Sequence, residues 1–107
     1  MVDLLVAGDV ECATVAHPSL LTPADLDAVK QAGRPVLFNL AEHDEYFTLG
    51  MREFADGVFG DDDRFQRRVW EGTSHGFATR GNVKVDTIRA AKEGAFEASA
   101  EWIKRNL

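Results

Sequence analysis

Two side chains suited to proton transfer stand at the ends of apolar stretches: Asp44 in AEHDEYF and His75 in EGTSHGF. A carboxylate that accepts a hydrogen bond from one imidazole nitrogen fixes the ring tautomer and leaves the other nitrogen bare as a base. Such a pair is two-thirds of a nucleophile–histidine–acid triad. Each residue also has an ordinary explanation. An aspartate after a strand often forms a turn or caps a helix, and a histidine before glycine is often a loop residue. The chemistry requires the two to meet although 31 positions separate them. It therefore depends on the elements that carry them.

Those elements read as alternating strands and helices. VECATVAHP (10–18) is β-branched and apolar, and Pro18 stops it, which suggests a short strand buried on both faces. LTPADLDAVKQAGRP then predicts a helix: Thr22 can cap it, Pro23 suits its first position, Asp25 sits in the first turn, and Gly33 with Pro35 ends it. PVLFNLAEHDE is a second strand-length apolar run without alternation, as expected in a parallel sheet covered by helices. Met51, Phe54, Ala55, Val58 and Phe59 recur at helical spacing, and GDDD follows as a turn. RFQRRVWEG predicts a third, more charged strand. Its adjacent Arg67 and Arg68 point to opposite faces, which suits a sheet edge. From Asp86 a long helix carries Ile88, Ala91, Ala95, Ala98 and Trp102 on one stripe, with Phe96 and Ile103 beside it. This order implies one α/β domain over residues 1–107, with three parallel strands joined by right-handed crossovers. In such sheets chemistry gathers beyond the carboxyl ends of the strands. Asp44 and His75 would then be neighbours on one rim.

Composition narrows the function. A chain of 107 residues forms a single modest core. Its net charge of −6 offers no basic face for nucleic acid. No apolar run approaches the roughly 20 residues of a membrane span, and MVDLLVAGDVEC lacks the basic flank and cleavage site of a signal peptide. The lone Cys12 suits a reducing, cytoplasmic setting. Its neighbours Val10 and Thr14 and the strand after it read as the surroundings of a buried small hydrophobe, and neither Ser19 nor Ser74 lies on a strand-to-helix elbow. A metal site built on His17, His43 and His75 lacks ligand spacing on a helix face. A non-catalytic binding module that uses the acidic surface and the GDDDR loop is the alternative, and it has no need of the Asp44–His75 pair.

HPSLLTPADL, PVLFNLAEHDEYF and EGTSHGFATRG, followed by an alanine-rich helix ending AEWIKRNL, resemble the C-terminal half of the dienelactone hydrolase family of α/β-hydrolases. The resemblance runs from about residue 10 to the end. It implies a partial α/β-hydrolase fold and hydrolysis of a small ester or lactone by a cysteine–histidine–aspartate triad. It assigns Asp44 as the acid, His75 as the base and Arg80 as the residue that binds a substrate carboxylate, with no metal or organic cofactor. The family's nucleophile sits on a G-x-C-x-G turn upstream of all these blocks, where glycines permit close backbone packing. No such turn occurs here. The expectation is a truncated chain, inactive alone, that associates with itself or another chain through the open apolar edge of its first strand.

Overall fold

The central strand of the sheet is the one with the longest apolar run. In the computed structural model, which describes all of residues 1–107, three parallel strands lie in the order β1 (Ala13–Ala16), β2 (Val36–His43) and β3 (Phe65–Ser74). Val36 to Ala41 of β2 are all buried, because helices cover both faces of the strand. The helices are α1 (Val2–Ala7), α2 (Pro23–Ala32), α3 (Leu49–Phe59), the single turn α4 (Phe77–Arg80) and α5 (Asp86–Asn106). The architecture is the expected one, three parallel strands alternating with helices. No helix is long and apolar enough to cross a membrane.

Alternation along β2 divides the core in two. Val36, Phe38 and Leu40 join Leu26, Phe59 and Phe65 on the side covered by α1, α2 and α3. Ala41 packs with Phe77, Ala91 and Ala95 on the α5 side. Burying each large apolar side chain contributes roughly 1.5–3 kcal/mol, so the first cluster dominates. On the α5 side β2 carries a buried polar residue, Asn39, whose amide donates to Ser99 Oγ (3.1 Å) and accepts from Trp70 Nε1 (3.0 Å). Both bonds tie β2 to its neighbours, so the polar group is satisfied and the sheet is registered against α5.

The local signals largely act as read. Thr22 and Asp25 form a reciprocal cap on α2, with Asp25 N–H donating to Thr22 Oγ1 (3.2 Å) and Thr22 N–H to Asp25 Oδ2 (2.9 Å). Thr48 caps α3 in a one-sided manner, its hydroxyl accepting from Met51 N–H. Arg67 and Arg68 do point to opposite faces of the edge strand. Arg67 pairs with Asp56 (3.1 Å), while the Arg68 guanidinium lies 4.2 Å from the Trp70 ring centre. GDDD is a turn held by Asp62, which accepts from Arg64 (2.7 Å) and Lys30 (3.1 Å). The Arg64 guanidinium holds the Asp62 carboxyl well below the usual carboxylate range.

Several expectations need correction. The first strand is shorter than 10–18, and its four residues are half-buried, not fully buried. The reason is topological: β1 has β2 on one side and no strand on the other. The apolar N-terminal stretch is helix α1, closed by Gly8 at φ 77°, and its Leu5 enters the main core. Its VDLLVA is apolar at all but Asp3, and so short an unbroken run shows no helical period to read. The turn α4 went unanticipated for the same reason of length. On α5, Ala91, Ala95 and Trp102 are buried as expected, but Phe96 is 75% exposed.

One glycine of α5 is fixed by contact. A Cβ at Gly94 would lie 2.5 Å from Trp70 Cζ3, the indole that also bonds Asn39. Helix propensity alone favours Gly94→Ala by about 1 kcal/mol, whereas forcing a methyl into filled space costs about 1–3 kcal/mol. We expect contact to win: the Gly94→Ala chain melts roughly 4–8 °C lower for each kcal/mol lost. A melting temperature equal to or above that of the unaltered chain would show that Trp70 yields freely.

Candidate active site

The parallel pairing of β2 and β3 sets their carboxyl ends side by side, with His43 opposite Ser74. Asp44 follows β2 and His75 follows β3. Their side chains meet: Asp44 Oδ2 lies 2.9 Å and Oδ1 3.1 Å from His75 Nδ1. The carboxylate is 1% exposed, so it is sheltered from competing water, while the imidazole remains 21% exposed. The geometry assigns the Nδ1 proton to the bond with Asp44 and leaves Nε2 as the acceptor.

Asp44 is also a turn former. Its Oδ1 accepts from the backbone N–H groups of Tyr46 (2.8 Å) and Phe47 (3.2 Å), closing a turn that the buried Phe47 anchors in the core. The turn-forming explanation of this aspartate holds, and the same carboxylate also bonds the imidazole. Two backbone donors and the imidazole hold one carboxylate in a single orientation.

On the histidine side the strand pairing is interrupted between Ala41 and His43, where the β2–β3 register shifts. Gly72 (φ 74°) donates its N–H to Glu42 Oε1 (2.9 Å), and the buried Thr73 hydroxyl accepts from Glu42 N–H (3.2 Å). Such a bulge re-aims the side chains beyond it. Gly76, directly after His75, has φ 88°, and a Cβ there would stand 2.7 Å from Arg80 Nη2. Glycine therefore lets Arg80 fold back over the backbone beside His75.

Two clefts flank the imidazole. One, of about 430 Å³, is lined by His43, Asp44, Glu45, Tyr46, Ser74 and His75. The other, of about 110 Å³, brings His75 and Arg80 together with Gly76, Phe77 and Ile88. All three residues singled out from the sequence, Asp44, His75 and Arg80, thus share one rim. A larger groove of about 740 Å³ lies at the opposite end of β3, under the C-terminal part of α5, and contains no acid–base pair.

Other candidates do not join the pair. Cys12 is half-buried and precedes β1 directly, with no helix after it. Ser74 is exposed and makes no hydrogen bond to His75. His43 is exposed and reaches only Glu42 (3.4 Å). No three histidine, cysteine, aspartate or glutamate side chains converge as metal ligands.

His17, however, belongs to the site. Its ring centre is 5.2 Å from that of His75 in an edge-on arrangement and 5.7 Å from that of Phe77. Burial, and next the neighbouring His75, push its pKa down, which favours the neutral ring. Sequence reasoning considered His17 only as a metal ligand. The signal that could have singled it out is its place in HPS at a strand end, on the same rim as Asp44 and His75.

The model of the dienelactone hydrolase family matches residues 2–107. The chain is similar to "Hydrolase tropI" of Talaromyces stipitatus, with 27% identity over 104 residues that cover 96% of this chain and 40% of that protein. It is also similar to "Hydrolase pyvD" of Aspergillus violaceofuscus, with 26% identity over 101 residues, 94% of this chain and 40% of that protein. The chain thus spans 40% of the length of each of these relatives. With its residues matched from the second to the last, the chain belongs to the dienelactone hydrolase family.

Proposed function

We propose that this chain carries the acid–base part of an ester- or lactone-hydrolysing site, with Asp44 orienting His75 as general base. The observation that carries the reading is the bond between the sheltered carboxylate and His75 Nδ1 (2.9 Å), which leaves Nε2 bare at a cleft. The hydrolase names of the two relatives agree with it. In the reaction, Nε2 takes the proton of a cysteine thiol as the sulfur attacks the carbonyl carbon. It returns that proton to the departing oxygen, and the acyl group stays on sulfur. Nε2 then takes a proton from water, whose oxygen attacks the thioester, and gives it back to the sulfur as the acid leaves. Arg80, beside His75 in the smaller cleft, would hold a carboxylate of the substrate.

The thiol of that scheme is not among these residues in our reading, because the single cysteine, Cys12, lies on no glycine elbow. The chain alone then lacks turnover. Its first strand has one unpaired edge, and an edge of that kind favours association with a second copy. The setting we propose is cytoplasmic, as the lone cysteine suggests.

Three outcomes follow. With an activated phenyl ester, the purified chain hydrolyses no faster than its His75→Ala variant. Turnover that disappears with His75 would instead place a nucleophile within these residues, Cys12 first. A lactone carboxylate titrated into the labelled chain shifts the resonances of His75 and Arg80, and Arg80→Gln weakens that binding by about tenfold, the worth of one charge-assisted hydrogen bond. Equal affinity in both chains would remove Arg80 from the site. Finally, the sedimentation mass rises with concentration. A monomer at every concentration would refute association through β1.

A further inference from the structure

His75 sits in a weak local frame. Ser74 before it ends a strand, and Gly76 after it has φ 88°, so its own backbone does little to hold the ring. Besides the Asp44 bond, two rings bound it. Tyr46 stands with its centre 4.6 Å away, and His17 meets it edge-on at 5.2 Å with an interplanar angle of 72°.

His17 is itself held hard. Its N–H donates to Asn39 O (2.8 Å), which continues the β1–β2 ladder by one residue. Pro18 after it is buried, and the ring rests edge-on against the buried Phe77. It is also the one non-glycine residue with positive φ, 36°, although the residue before a proline favours extended backbone. Its Nε2 is buried without a hydrogen-bond partner. A ring that only filled space would do so better without an orphaned nitrogen or a left-handed backbone. Such costs persist where the surroundings enforce them, and they gather at functional sites.

We propose that His17 is a positioning residue for the base: from the end of β1 its ring, with Tyr46 on another side, confines His75 to the orientation bonded to Asp44. The inference rests on the reading of Asp44 and His75 given above and adds β1 to the elements that build the site. A lowered His17 pKa, which favours the neutral ring, serves the same end. The charged groups that act on its ring are His75, Asp44 and Arg80, and a protonated His17 would compete with His75 for Asp44. Because the folded pKa of His17 lies below its unfolded value, this residue stabilises the fold fully above about pH 6.5 and loses that contribution as pH falls through the folded value.

The test is nuclear magnetic resonance of the imidazole groups in the intact chain, where no turnover is needed. In the unaltered chain we expect a single His75 tautomer with a protected Nδ1 proton. His17→Ala speeds exchange of that proton with solvent at least about tenfold, as local opening becomes easier, while His17→Phe, which keeps a flat ring, preserves the protection. His17→Leu supplies bulk without a flat edge and should fail as Ala does, which keeps the comparison decisive if the Ala variant unfolds. In His17→Phe the loss of melting temperature between pH 7 and pH 5 is also shallower, since one titrating group is gone. Protection that is equal in the Leu, Phe and unaltered chains overturns the positioning role while leaving the Asp44–His75 pair intact. An unaltered chain without the Nδ1-protonated tautomer overturns the pair itself, and His17's role with it.

Discussion

The double burial of β2 is the constraint on which the rest depends. A strand apolar on both faces is stable only between two covering layers, and Val36 to Ala41 are buried throughout. That requirement places β2 in the centre and draws α2 and α3 to one face and α5 to the other. Parallel strands on either side then end at the same rim. Asn39 adds direction to a layer that apolar packing alone would leave free to slide. Its two side-chain bonds, to Trp70 on β3 and Ser99 on α5, are satisfied in one register only.

The site grows from that rim through irregularity. Regular pairing would carry β3 on past the level of Asp44. Instead the register shift after Ala41, the left-handed Gly72 and the left-handed Gly76 turn the chain so that His75 faces the carboxylate. Each device is placed where the strand ends, so the sheet remains rigid while the residues beyond it bring Asp44 and His75 together. Asp44 joins the two roles in one side chain: it shapes its own turn and bonds the imidazole. Removing it would therefore disturb both the loop and the tautomer.

Much of this was legible in the residues. Thr22, Pro23 and Asp25 marked the start of α2 because a cap is local chemistry, decided within four positions. The unbroken run at 36–41 marked a central strand because burial on both faces leaves no alternation. Arg67 and Arg68 marked the edge strand, since adjacent charges on opposite faces cannot both be buried. The short elements were not legible. Helix α1 contributes one buried side chain, Leu5, and α4 is a single turn, so neither leaves a period to read. The half-burial of β1 was invisible too, because exposure of an edge depends on which strands lie beside it.

What the sequence determined by itself was the alternation of strands and helices, the charged edge, and the identity of an aspartate and a histidine at two strand ends. These follow from side-chain polarity and near-neighbour spacing, which any stretch of chain carries with it. What only the tertiary structure decided was contact. The 2.9 Å bond between Asp44 and His75, the return of Arg80 over Gly76, and the placement of His17 against His75 join residues from three different strand ends. Distances of that kind depend on register and on bulges summed over the whole sheet, and no local pattern encodes them.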